Sequence, residues 1–223
     1  DFGGLGEVPS HPLLLDHLAT RLREEWSIKS LIRDVVRSSA YRRSTRPTPE
    51  AAEILDTVDP TGSLLAVAPT RRLQAEAIRD AMLATSGRLD RTVGGPSIPT
   101  HLTSFMNGRG RPGSSGPLDG SGRRSLYLEV RRNFAAPMLA AFDPPAPMTT
   151  VGRRNTSNVP AQSLVLMNDP FVHEMARSWG REILANEDLT DDRSRIRSMW
   201  RQAFATVPGP LEIQATIDFL QSH

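Results

Sequence analysis

Between Gly94 and Gly122 the chain carries eight Gly, four Pro and five Ser in 29 residues, a density that excludes regular helix or sheet through most of that span. Glycine holds too much backbone freedom and proline lacks the donor that either ladder needs. The rest of the chain must therefore fold around a long irregular connection. The expectation is a mainly α protein, an irregular multi-helix domain with one short strand region and a long Gly/Pro/Ser-rich loop. An N-terminal helical part would cover 1–93, the loop 94–124, and a strand plus C-terminal helical part 125–223. Together they would make one composite domain, incomplete at its N-terminus. RGRPGSSGP in the middle of the loop should be mobile unless something binds it.

Helical signals are strong on either side. Pro12 suits a first turn, and Leu14, Leu15, Leu18, Ala19 and Leu22 follow as an apolar stripe. Ser27 is a good N-cap for Ile28, Leu31, Ile32, Val35 and Val36, and the short link at Trp26 predicts an antiparallel hairpin. Each stripe needs the other, or a third partner, to leave water. A short helix over 50–57 ends at the DPTG turn, and the next helix should cover 71–85. On that helix Leu73, Ala77, Ile78, Ala81 and Met82 would face inward, Arg72 and Glu76 would share the wet side, and Ser86-Gly87 would stop it. Ser125 to Arg132 alternates Leu126, Leu128 and Val130 with polar residues, which predicts a strand. Beyond it, Asn158 should cap a helix from Pro160, and Asn168 or Asp169 one with Pro170 in its first turn that places Phe171, Val172, Met175, Ala176 and Trp179 on one face. A helix begun by Thr190 to Asp192 should bury Ile196, Met199, Trp200, Ala203 and Phe204, and Leu211 to Leu220 forms the last.

Cysteine is absent, which excludes thiolate metal sites, iron–sulfur ligation, a CxxCH haem attachment and cysteine nucleophiles within the sequence. No apolar run approaches membrane-spanning length. The opening DFGGLGEVPSHP reads as the interior of a longer polypeptide. His173-Glu174 is followed by Arg177 where a zinc helix needs its second histidine, and His11 and His17 lie six apart, so no metal site is expected. No GxxxxGK[ST], GxGxxG or GxSxG occurs, which removes the standard phosphate cradle and the serine nucleophile elbow.

Charge is the informative remainder. The net formal charge is only +2, yet residues 88–155 hold ten Arg against four acids. Arg123, Arg124, Arg131, Arg132, Asn133, Arg153, Arg154, Asn155 and Asn158 lie near element ends, and Arg-Arg-Asn occurs twice, at 131–133 and 153–155. Guanidinium forks bind sulfate, phosphate or carboxylate bidentately, and Asn adds donors and acceptors, so these are candidate anion- or ligand-binding residues. The same residues serve equally well as structural clamps on loop carbonyls or on Asp119, Asp143 and Asp169. Catalytic residues are not identifiable: Asp119, Glu129, Asp143 and Asp169 are carboxylates by type only. Lys29 is the only lysine, and the sparse aromatics lack the interleaving of a recognition sheet, which argues against a nucleic-acid interface.

Several long motifs resemble one family. DFGGLGEVPSHPLLLDHLA, WSIKSLIRDVVRSSAYRRS, RRLQAEAIRDAMLATSGRLD, SGPLDGSGRRSLYLEVRRNF and AFDPPAPMTTVGRRNTSNVPAQSLVLMNDPFV are similar to signatures of the planctomycete-type domain of unknown function 1553. Near the end, Val207-Pro208-Gly209-Pro210 departs from the usual Gly/Ser-Arg-Pro-Pro. The resemblance implies the C-terminal domain of a large exported protein of the periplasm or cell envelope, with further family residues upstream of Asp1. It implies no cofactor in this segment, haem c being confined to another module of the full protein. It transfers no catalytic residue. Its partners would be other domains of the same polypeptide. The expected function is an accessory or interaction domain with an Arg/Asn-rich polar patch. The alternatives are a component of an enzyme acting on anionic, sulfated or acidic polysaccharide and, less favoured, a nucleic-acid-binding domain.

Overall fold

The computed structural model describes residues 6, 8–148, 151 and 154–222. The chain forms two compact units, Asp1–Arg72 and Leu73–His223.

In the first unit α1 (Pro12–Glu25) stops at Trp26, whose left-handed backbone returns its N–H to the Leu22 carbonyl at 2.7 Å. Ser27 Oγ then accepts from the Ser30 N–H and starts α2 (Ile28–Arg37). The two helices pack as the expected hairpin, with Arg21 bridging Glu25 on its own helix and Asp34 on the other. Thr48 caps α3 (Pro49–Val58), and the Asp59 carboxylate closes the following turn by accepting from the N–H groups of Ser63 and Leu64. Pairing does not dry the stripes. Leu15 and Ile32 are each more than half exposed, and none of the three helices buries a residue.

The second unit holds the core. Its first helix, α4 (Ala75–Thr85), begins four residues later than the sequence suggests and turns a different face inward. Ala75, Arg79 and Leu83 are buried with Ile78 and Met82 beside them, while Leu73, Ala77 and Ala81 stay exposed. The cause is Arg79, an arginine in the middle of the apolar row, which is drawn inward by the carbonyls it binds. Arg72 lies before the helix, and Glu76 faces Arg154 instead. Gly87 ends the helix in the left-handed conformation, as expected.

A long connection leads to α5 (Pro137–Ala140), α6 (Pro160–Asn168) and α7 (Pro170–Ala185). Met138, Phe142, Phe171 and Met175 pack with Ala75 and Leu83 as one cluster. Asp169 caps α7 by accepting from the Phe171 N–H. Asn158 is exposed and does not cap α6. There Gln162 reaches back with Oε1 to the Val159 N–H and with Nε2 to Ser157 O, a longer side chain doing from inside the helix what Asn was expected to do from outside. Asp191 caps α8 (Asp192–Phe204), and α9 (Pro210–Ser222) follows, the three last helices burying Ile183, Ile196 and Ile213. Ala203 and Phe204, expected inside, are exposed; Phe204 rests edge-on against Trp200 at 5.1 Å, because the buried face of α8 is centred one and two turns earlier.

The strand expected over 125–132 is a correction. Ser125–Tyr127 forms a single 3₁₀ turn, Leu126 and Val130 are about three-quarters exposed, and only an isolated parallel bridge between Leu128 and Ile98 remains. Asp80 explains the difference. Its Oδ1 accepts from both the N–H and the hydroxyl of Ser125 at 2.7 Å, tying the segment to α4 rather than to a neighbouring strand.

Candidate functional site

Arg79 organises the region. It is 4 % exposed, and its guanidinium donates to Asp119 O at 2.7 Å, Arg123 O at 3.0 Å and Ser125 Oγ at 3.2 Å while lying 5.3 Å from the centre of the Phe171 ring. Burial lowers its pKa, with Asp80 and Asp119 opposing. One side chain on a helix thus fixes the 119–125 loop on one side and the core on the other. Two glycines let that loop approach. A Cβ on Gly122, whose φ is +71°, would collide with the Arg88 carbonyl, and one on Gly116 with the Pro99 carbonyl.

The first pair of candidate arginines belongs to this scaffold. Arg123 donates to Gly94 O at 2.5 Å, stacks on Tyr127 at 4.2 Å and lies 3.8 Å from Asp90; Arg124 faces Asp80 at 3.5 Å. The three candidate acids are likewise held. Asp119 accepts from Arg88 and from the Ser121 N–H, Asp143 accepts from the N–H and hydroxyl of Ser157, and Asp169 caps α7.

The second group meets elsewhere. Arg131, Arg132 and Arg154 all line one cleft of about 470 Å³ within the second unit, although 22 residues separate Arg132 from Arg154 in the chain. Its floor is Met138, Leu139 and Phe171, and its walls include six prolines, among them Pro144, Pro145 and Pro147. Asn133, Asn155 and Asn158 are exposed and do not line it. Arg153 lies outside the described residues.

The polar groups of the cleft are nearly all engaged within the protein. Arg154 forks onto Glu76 with 2.7 and 3.1 Å bonds. That contact lowers the Glu76 pKa, partial burial opposing. Arg131 pairs with Glu129 at 2.8 Å, and Thr100 Oγ1 donates to Glu129 O at 2.7 Å. His101 meets Gly116 O through Nδ1 at 3.0 Å, which makes that nitrogen the donor. Arg132 differs: among the described residues it has no ion pair and no hydrogen bond, and it is exposed at the rim. Charges along the lining are Arg79, Arg131, Arg132 and Arg154 against Glu76, Glu129 and Asp169, four minus three, so the cleft carries one surplus positive charge.

The sequence reading did not place Glu76, Arg79 or His101 among the site residues. Arg79 did leave a signal, a cation on the same helical row as Ala75 and Leu83, whereas His101 left none. Chemically, the cleft offers an apolar body and one available guanidinium. Among the described residues no group of three or more His, Cys, Asp or Glu could hold a metal ion, and no helix is long and apolar enough to cross a membrane. The sequence matches the model of a family described as "PSD1: Protein of unknown function (DUF1553)" over residues 1–220. Neither curated proteins nor solved structures provide a match.

Proposed function

From the premise that the chain belongs to the DUF1553 family, a family of unknown function, we propose that it is a binding domain whose cleft takes a ligand with an apolar body and one anionic group. The observation that carries this is the contrast within the lining: an apolar floor and proline walls, with Arg132 alone bringing an unpartnered charge among the described residues. Pockets of this size and composition, with a few convergent polar groups, are the usual form of a ligand site. The resemblance supports an exported, cell-envelope setting, where other domains of the same polypeptide would present or receive the ligand.

The catalytic alternative has less support. General acid chemistry needs a carboxyl held protonated. Glu76 is shifted the other way, Glu129 is paired with Arg131, and Asp169 holds a helix N-terminus. A polysaccharide would also want many free donors and acceptors, and Arg131, Arg154, Glu76, Thr100 and His101 in the lining already bond to the protein. A single anion on an apolar body fits better than a sulfated sugar chain.

Titration of the full chain with phenylbutyrate and with its neutral analogue phenylbutanol tests the reading. The expected result is binding of the acid, at least tenfold weaker binding of the alcohol, and loss of that difference in Arg132→Gln. Equal affinities for acid and alcohol in the unmodified protein would overturn it.

A further inference from the structure

The shape of the cleft carries the reading one step further, to the class of ligand; this step rests on the binding role just proposed. We propose that the cleft takes a linear alkyl carboxylate of medium chain length, its tail along the proline walls and its head group on Arg132.

Four observations lead there. Proline has no N–H, so Pro117, Pro137, Pro144, Pro145, Pro147 and Pro170 present carbon surface without a backbone donor. An alkyl chain asks for none, whereas a peptide or a sugar laid on the same walls would leave its carbonyls or hydroxyls unpaired. Second, Ala136 and Ala146 adjoin prolines in the lining and, with Ala135, add only methyl groups to it, and Met138 adapts to a flexible chain. Third, among the described residues Phe171 is the one phenyl, phenol or indole ring lining the cleft; it is 4 % exposed with Arg79 against it, and the His101 imidazole is bonded to Gly116 O. A flat aromatic ligand therefore finds no open phenyl or indole face to stack on among the described residues. Fourth, a surplus of one positive charge matches one carboxylate and no more. Arg154 already forks onto Glu76 and Arg131 is ion-paired with Glu129, so a second anionic group would displace an existing pair.

The head group selects in the same way. The Arg132 guanidinium is planar and always charged, and it receives a carboxylate through two parallel bonds. A neutral alcohol gains only one weaker bond there. Each methylene that leaves water for the cleft should tighten binding about fourfold until the chain reaches the end of the floor.

The test is calorimetric titration of the full chain with butanoate, hexanoate, octanoate and decanoate below their micelle concentrations, beside octanol, octyl sulfate and phenylbutyrate. Support consists of a roughly fourfold gain per methylene up to a plateau, octanoate binding at least tenfold tighter than octanol, and octanoate tighter than octyl sulfate. In Arg132→Gln, an exposed position whose side chain has no bond among the described residues, octanoate should fall to the level of octanol while octanol is unchanged. Ala136→Phe narrows the cleft and should move the plateau to shorter chains; its near-unchanged Tm would show that the fold survives.

Affinity independent of chain length overturns the proposal. So does octyl sulfate binding more tightly than octanoate. If phenylbutyrate binds through Arg132 and the alkanoates show no length dependence, the alkyl assignment fails and the broader binding role stands. If none of the anions prefers the wild type over Arg132→Gln, both fail.

Discussion

Arg79 does its work through carbonyl groups that no other side chain among the described residues serves. Removing it leaves the part-buried Arg123 O without that donor, leaves Asp119 O with the Gly122 N–H alone, and takes a cation off the Phe171 ring. Arg79→Ala should cost about 3 kcal/mol, read as a fall in Tm of roughly 10 °C. Arg79→Lys should recover only part of that, because an ammonium group cannot reproduce the planar fork. Gly122→Ala meets a different obstacle, a positive φ and the Arg88 carbonyl where its methyl would sit, and should destabilise by at least about 1 kcal/mol. Glu76 brings a pH dependence. Its folded pKa is lowered, chiefly by the hydrogen bond from Arg154, so its contribution is complete above the unfolded value of about 4.3 and disappears as the pH falls through the lower folded value. The wild type should therefore lose more Tm between pH of about 5 and about 3 than Glu76→Gln does. Equal losses in thermal scans across that window would remove the clamp from the account.

At the level of helices, end signals were the readable part of the sequence. Pro12, Pro49, Pro137, Pro160, Pro170 and Pro210 each open a helix, and Ser27, Asp169 and Asp191 cap theirs. Asp191 accepts from the Ser194 N–H at 2.7 Å while the Ser194 hydroxyl lies against the Asp191 backbone, a reciprocal pair that should make Asp191→Ala about 1 kcal/mol less stable in chemical denaturation. Faces were less readable than ends. The alternation from Leu126 to Val130 is what a strand shows, but an extended segment pinned to a helix shows it too. Its deciding partner, Asp80, sits 45 residues from Ser125, and local periodicity cannot report a bond across that distance. On α4 the same limit applies in reverse: averaging hydrophobicity hides a buried arginine, so the predicted stripe slid away from Arg79.

For the whole molecule, the sequence showed where charge gathers and not what each charge meets. Composition located an arginine-rich middle, and its chemistry left two uses open, structural clamps or an anion site. What it could not do was sort six charged side chains into scaffold and site, because that depends on which carboxylates fold beside them. Asp80 and Asp90 are beside Arg124 and Arg123, Glu76 beside Arg154, and nothing among the described residues beside Arg132. The two units also differ in how they could sustain themselves. All residues lining the cleft fall between Glu76 and Phe171, and every buried apolar residue among those described lies in Leu73–His223. In Asp1–Arg72 the helices bury nothing, so their stripes give little hydrophobic stabilisation to set against chain entropy. A fragment of residues 73–223 should therefore unfold cooperatively and bind phenylbutyrate within about threefold of the full chain, a difference of about 0.6 kcal/mol. A fragment of residues 1–72 should show partial helical circular dichroism and no cooperative melt. Loss of phenylbutyrate binding in the larger fragment, with its cooperative melt intact, would mean that the first unit completes the cleft.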